Sequence, residues 1–194
     1  MVSKRSSKKK MSSLTIRLAA DLQMDSIVDG EGLRTVIWTQ GCSHACVGCH
    51  NKGTHEFDAG ALVEVDFIKE ELDQLVSQDG ITLSGGDPFF QPVACKEIAH
   101  HAKEIGLSVW AYTGFTYEEI MKNKKQRELL EYIDVLVDGK FEKDKLTLDV
   151  PFKGSTNQRI IDVKRSIEKN TVVEQEKQDI KDNFIKVNRE YMFV

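Results

Sequence analysis

From Leu14 onward, short runs of consecutive apolar residues alternate with stretches in which apolar positions recur at helical spacing. That alternation is the pattern of an α/β protein with a largely parallel sheet. Thr35-Val36-Ile37-Trp38-Thr39 is β-branched and aromatic and reads as a strand. Phe67, Ile68, Leu72, Leu75 and Val76 give the next helix its apolar face, with Asp66 as its N-cap. Ile81-Thr82-Leu83 reads as a second strand. Pro92 opens a helix that Gly106 closes, with Cys95, Ile98, Ala99, Ala102 and Ile105 as its buried stripe. Leu107 to Tyr112 form a third strand. Thr116-Tyr117-Glu118-Glu119 is a capping box, with Phe115 placed to staple onto Ile120. Further strands are expected at Asp134–Val137 and Arg159–Val163, and a charged helix near Glu174 to Phe184.

This reading places the polar motifs together. The cysteine-bearing run Gly41 to Asn51, then Ser84-Gly85-Gly86-Asp87, Tyr112-Thr113-Gly114 and Asp138-Gly139-Lys140, each follow the C-terminal end of a strand. In parallel α/β architectures active sites are built on that edge.

Cys42, Cys46 and Cys49 are spaced C-x-x-x-C-x-x-C. Three thiolates on one loop can hold three irons of a cubane iron–sulfur cluster, leaving the fourth open to a small molecule; a cluster that only transfers electrons normally takes four cysteines. A structural zinc site is the alternative, using Cys46 and Cys49 with His50 or His55, although closed zinc sites usually repeat C-x-x-C pairs. Cysteine is too sparse for a disulfide framework. Cys95, on an apolar helix face, is expected to be a small buried hydrophobe. His44, His50 and His55 are candidate ligands or supporting groups, His50 best placed beside Cys49; His100 and His101 lie in a helix and carry no assigned function. Gly85 and Gly86 let backbone approach a ligand closely. Asp87 and Asp138 offer acceptors, and Lys140 a positive charge for a carboxylate. The same Gly-Gly-Asp-Pro run also suits a plain strand-to-helix turn. There is no P-loop pattern and no Ser-His-Asp arrangement.

Composition narrows the class. A chain of 194 residues with 40% apolar content suffices for one core, so residues 14–194 are expected to form a single domain. Residues 1–13 read as a disordered basic arm, because Lys4, Arg5, Lys8, Lys9 and Lys10 crowd a polar stretch without aromatics. The net charge is −4, so the body is more acidic still, which argues against nucleic-acid binding. No apolar window is long enough to cross a bilayer and no signal peptide is evident, so a cytoplasmic protein is expected.

From Ile27 to Val163 the chain resembles the radical S-adenosylmethionine enzymes, whose hallmark is this cysteine spacing. More narrowly it is similar to the glycyl-radical-enzyme activases, and within them to the anaerobic (class III) ribonucleoside-triphosphate reductase-activating family. Asp29-Gly30-Glu31-Gly32-Leu33-Arg34-Thr35 resembles the activases' D-G-x-G-x-R-T, and Ser84 to Pro88 their S-G-G-D/E-P. Asp134 to Phe141 and Gly154-Ser155-Thr156-Asn157-Gln158-Arg159 resemble the reductase activases in particular.

The resemblance implies a partial, open (βα) barrel. It implies a [4Fe–4S] cluster on Cys42, Cys46 and Cys49, with S-adenosyl-L-methionine chelating the open iron. Gly48 and His50 would then lie along the nucleoside, with Ser84, Gly85, Gly86 and Asp87 at the methionine end. Asp138 and Lys140 would match a D-x-K pair that positions the cofactor or an incoming peptide. The implied activity is formation of a glycyl radical on the large reductase subunit, with a low-potential donor such as flavodoxin. Gly48 departs from the aromatic residue that many superfamily members carry there. Pyruvate formate-lyase activases and deazaguanine synthases share the core motifs, and a zinc-stabilised interaction domain, colourless and stable in air, remains the non-enzymatic reading.

Overall fold

The computed structural model describes residues 13–175. The basic arm, except Ser13, and the charged helix expected near Glu174 to Phe184, beyond Gln175, lie outside the described residues.

The chain runs β1 (Thr15–Leu18), β2 (Gln23–Ser26), β3 (Arg34–Thr39), β4 (Ala61–Glu64), α1 (Val65–Asp73), β5 (Gly80–Gly85), α2 (Pro92–Glu104), β6 (Ser108–Tyr112), α3 (Tyr117–Ile120), α4 (Lys124–Leu130), β7 (Val135–Asp138), β8 (Arg159–Asp162) and α5 (Val163–Lys169). Among the described residues the strands form one eight-stranded sheet in the order β4-β1-β3-β5-β6-β7-β8, with β2 also paired to β3. β3, β5, β6 and β7 are parallel neighbours. The sheet is nevertheless mixed: β1 and β2 run antiparallel to β3, and β8 antiparallel to β7. A helical crossover returns a chain parallel. Between β7 and β8 the only helical piece is a short 3-10 turn, Lys143–Lys145, and β8 comes back antiparallel.

Strand alternation gives the sheet two faces. Ile37, Leu83, Ala111 and Leu136 point toward the helices and pack in the main core with Ile68, Leu72, Ile98, Ile120 and Leu129. The opposite face carries a second cluster of Trp110, Val135, Val137 and Ile160, closed by Phe152 from the β7–β8 connection rather than by a helix. The segment before β3 covers the same face. A side chain at Gly30 would begin 2.8 Å from Trp110 Cδ2, so the backbone lies directly on the indole. Arg34 is fully buried there. Its guanidinium donates to Thr82 Oγ1 at 3.1 Å, Ser108 Oγ at 2.6 Å and the carbonyls of Glu31, Ile81 and Ser108. Burial lowers its pKa to about 10.

The capping box forms as expected: Glu119 N donates to Thr116 Oγ1 and Thr116 N to Glu119 Oε2. Cys95 is fully buried on α2. Three local expectations fail. Asp66 does not cap α1; Glu64 holds the N-cap position without a side-chain bond. Val65, Ile68 and Leu72 form the buried stripe of α1, while Phe67 faces solvent and Val76 lies past the helix end. Ile105 is the C-cap of α2 and is 40% exposed, because the helix stops before its next inward turn; Ala94 fills the stripe at the other end.

Candidate functional site

The cysteine loop leaves β3 through Gly41, whose φ of +103° favours glycine. Backbone bonds fix both sides of its base: Gly41 N donates to Thr54 O at 2.8 Å and Cys42 N to His55 O at 3.0 Å. Cys42, Cys46 and Cys49 are free thiols, each half-buried. Burial pushes the Cys42 and Cys46 thiols up. The polar backbone at His44 beside Cys42 and at Phe141 beside Cys46 opposes this, and the Lys140 charge helps at Cys46. His55 Nε2 lies 3.4 Å from Cys49 Sγ.

The three thiols stand on the wall of a cavity of about 370 Å³. Ser84, Gly85 and Gly86 at the end of β5 line it as well. A Cβ on Gly85 would lie 2.5 Å from Thr39 O, and one on Gly86 2.5 Å from Gly41 O. Both positions therefore need glycine, because the end of β5 lies in backbone contact with the end of β3 at Gly85 and with the base of the cysteine loop at Gly86. The run is a turn and a cavity wall at once, since Pro88–Phe90 forms a 3-10 turn capped by Asp87. Thr113, Gly114 and Gly139 bring the ends of β6 and β7 to the same cavity, as the strand-end argument expects. His50 lines it too, its ring centroid 5.2 Å from that of Phe141. Gly48, at φ +78°, packs against the side chains of Lys143 and Phe141.

The two aspartates are placed differently from expectation. Asp87 is 1% exposed and does not face the cavity. Its Oδ1 accepts from Phe89 N at 2.9 Å; its Oδ2 accepts from Thr113 Oγ1 at 2.8 Å and Gly114 N at 3.0 Å, with His44 Nε2 at 2.7 Å. Asp138, also 1% exposed, accepts from Tyr117 N at 2.7 Å and from Arg159 Nε at 3.0 Å. Protein donors reach both carboxylates, and Asp138 borders the neighbouring groove rather than the cavity of the cysteines. Lys140 is exposed, beside a neighbouring groove with Glu118, Asn157 and Arg159. Asn157 Nδ2 donates to Lys140 O and Gln158 Nε2 to Gly139 O, so the two late sequence segments are bonded to each other.

Other lining residues lay inside noted segments without an assigned role: Asp29, Trp38, Tyr112, Phe141 and Gln158. Period-two reading finds some of them, because Trp38 is in register with Ser84 on the second face of the sheet and Tyr112 with Val137. Burial, with the Asp29 charge adding to it, pushes the Tyr112 phenol up, so it stays a neutral donor at the cavity floor.

Among the described residues, no three His, Cys, Asp or Glu side chains converge to hold a single metal ion. The loop places its three thiols on the wall of one cavity, a donor set suited to a multi-iron cluster. Bare backbone and aromatic rings around them suit a small polar ligand with one flat apolar part.

Comparison with known proteins follows this geometry. The family described as a 4Fe-4S single cluster domain matches residues 28–161. The anaerobic ribonucleoside-triphosphate reductase-activating protein of Pasteurella multocida (strain Pm70) is 38% identical over 144 residues, covering 69% of this chain and 90% of that protein. Its namesake from Enterobacteria phage T4 is 37% identical, covering 69% of this chain and 86% of its own. The one from Escherichia coli (strain K12) is 35% identical, covering 68% and 90%. A crystal structure of QueE from Escherichia coli overlaps 53% of each chain at 16% identity and a TM-score of 0.43, a likeness too partial to build on. With its cysteine loop inside the matched domain and most of the relatives' length covered, the chain belongs to the family of anaerobic ribonucleoside-triphosphate reductase-activating proteins.

Proposed function

We propose that this protein activates an anaerobic ribonucleoside-triphosphate reductase by generating a glycyl radical on its large subunit. The observation that carries the reading is the cavity itself: Cys42, Cys46 and Cys49 on one wall face the bare backbone of Gly85 and Gly86 on another. On this reading the thiolates of Cys42, Cys46 and Cys49 hold a [4Fe–4S] cluster, and Ser84, Gly85 and Gly86 receive the methionine end of S-adenosyl-L-methionine. His50, with Phe141 beside it, borders the nucleoside end. The cluster and S-adenosyl-L-methionine together supply one-electron reductive cleavage of a sulfonium C–S bond and a primary carbon radical able to abstract hydrogen from glycine.

The residues of the chain orient and exclude. The neutral Tyr112 and the indole of Trp38 keep water from the floor of the cavity. Asp87 and Asp138 serve by holding strand ends in place, and Lys140 lends a positive rim on the side where a protein substrate enters. We infer that the sheet is a partial, open (βα) barrel, supported by four parallel strands with helices on one face and a filled opposite face. The electron donor is of the low-potential flavodoxin type. Among the described residues no helix is long and apolar enough to cross a membrane.

Oxygen-free purification and reconstitution test this. About four irons per chain are expected, with release of 5′-deoxyadenosine under dithionite and a glycyl-radical resonance on the added reductase. Zinc without iron, and no cleavage, overturns the enzyme reading. Cleavage with a silent reductase spectrum overturns the assigned target and leaves pyruvate formate-lyase or deazaguanine-type chemistry.

A further inference from the structure

We propose that His44 is a positioning residue for this site: it seats the cysteine loop on the sheet and so holds Cys42 and Cys46 in place. The inference rests on the reading of the three thiolates as cluster ligands. Between Cys42 and Cys46, Ser43 and Ala45 face solvent, as does Val47 beyond. His44 alone among these turns inward, its side chain 8% exposed. Its Nε2 meets Asp87 Oδ2 at 2.7 Å, and its ring packs edge-on against Phe115 at 4.5 Å and tilted against Phe90 at 5.4 Å.

The receiving end is rigid. Asp87 is held by Thr113 Oγ1, Gly114 N and Phe89 N, so its carboxylate cannot follow a drifting loop. Gly114 leaves room for the ring: a Cβ there would lie 2.4 Å from His44 Cδ2. A glycine on β6's end thus accommodates a histidine from the loop after β3, a fit that neither strand requires for its own pairing.

The anchor acts on the loop through its turn. Ala45 sits at φ +54°, a left-handed conformation that a non-glycine residue adopts only under constraint. An anchored neighbour keeps the loop in that turn. Hydrogen bonding and solvent exposure around ligating sulfurs set the potential of a cluster, so a loop freed from the sheet shifts it. One residue therefore ties the stretch between Cys42 and Cys46 to the sheet through its ring.

The test uses the reconstituted full-length protein and four variants: His44→Ala, His44→Gln, Gly114→Ala, and the double variant His44→Ala with Gly114→Ala. Two quantities are read, the rate at which a ferrous chelator removes iron and the reduction potential of the cluster. His44→Ala is expected to lose iron about 10–100-fold faster and to shift the potential away from the wild-type value. Gln places an amide N–H near the reach of Nε2 and should restore both quantities substantially. Gly114→Ala, which evicts the ring, should reproduce the His44→Ala behaviour, and the double variant should be no worse than His44→Ala because no ring remains to clash. Wild-type iron loss and potential in His44→Ala overturn the proposal, as does a Gln variant no better than Ala. If His44→Ala does not fold, Gly114→Ala decides alone by the same two readings. Wild-type protein that takes up no iron instead refutes the underlying cluster reading, a failure visible before any variant is made.

Discussion

Arg159 serves two carboxylates at once. It donates to Asp138 through Nε at 3.0 Å and Nη2 at 2.5 Å, and to Glu118 through Nη1 at 3.0 Å and Nη2 at 2.8 Å. The guanidinium bond, more than any other contact, pulls the Glu118 carboxyl down to about 2. A carboxyl depressed on folding contributes stability that is complete above its ordinary value near 4.5 and is lost as pH falls toward 2. Glu118 is 54% exposed, so the contribution is under about 1 kcal/mol. Glu118→Gln should therefore flatten the acid side of the stability curve between those limits and leave neutral stability lowered by no more than that. Urea titrations of metal-free wild type and variant across this range check it; parallel curves would mean that the pair is not formed in solution. Asp138 also shows why its direction was missed. A residue at a strand end is assigned to an edge by sequence position, but its face follows strand parity. Asp138 shares parity with Leu136, which points at the helices, so it meets Tyr117 N and Arg159 rather than the cavity. Asp87 lies past the end of β5, where parity no longer guides, and its burial depends on contacts with two other segments, the cysteine loop and the loop after β6.

Elements that rest on local chemistry were the legible ones. The strands β3, β5, β6 and β7 and the helix α2 follow from apolar runs, Pro92 and Gly106, and the capping box follows from Thr116 and Glu119. Removing the box should have a local, measurable effect. Thr116→Ala deletes the acceptor for Glu119 N, 3.3 Å away, at the start of a helix of only four residues. The expected loss is about 1 kcal/mol, with Thr116→Ser close to wild type. Chemical denaturation distinguishes the two; equal losses in both would place the effect in the threonine methyl rather than the cap. What stayed illegible was long-range. The direction of β8 depends on how residues 141–158 cross the open face of the sheet, and that stretch has neither helical nor strand periodicity. Its order comes from side-chain bonds such as Gly154 N and Ser155 N to Gln158 Oε1. The failed cap at Asp66 has the same lesson: β4 runs straight into α1, with Glu64 the last residue of the strand and the N-cap together.

At the scale of the whole molecule, the two faces of the sheet divide stability from chemistry. The helix-covered face holds most of the apolar core, and its burial depends on no ligand. The other face is closed at one end by the Gly30–Arg34 segment on Trp110, while the loops after β3, β5, β6 and β7 meet at the cavity. A ligand in that cavity adds a further link among four loops that are already joined in part through Asp87, His44, Thr113 and Gly114. Binding to the folded state alone adds stability by mass action, about 2.7 kcal/mol at a hundredfold excess over the dissociation constant. Amides that exchange only through global opening should slow by that common factor. Amides that exchange through local opening should separate by place. On adding S-adenosyl-L-methionine to the cluster-loaded protein, those in residues 42–55, 84–87, 112–114 and 139–158 should slow, because the ligand closes the openings that expose them. Those on the β4 edge and the outer turns of α1 and α4 should not, because their fraying leaves the cavity intact. Hydrogen exchange read by mass spectrometry resolves these segments. Protection confined to the β4 edge or to α1 would put the ligand on the wrong side of the sheet and dissolve the link between the cysteine loop and the glycine wall.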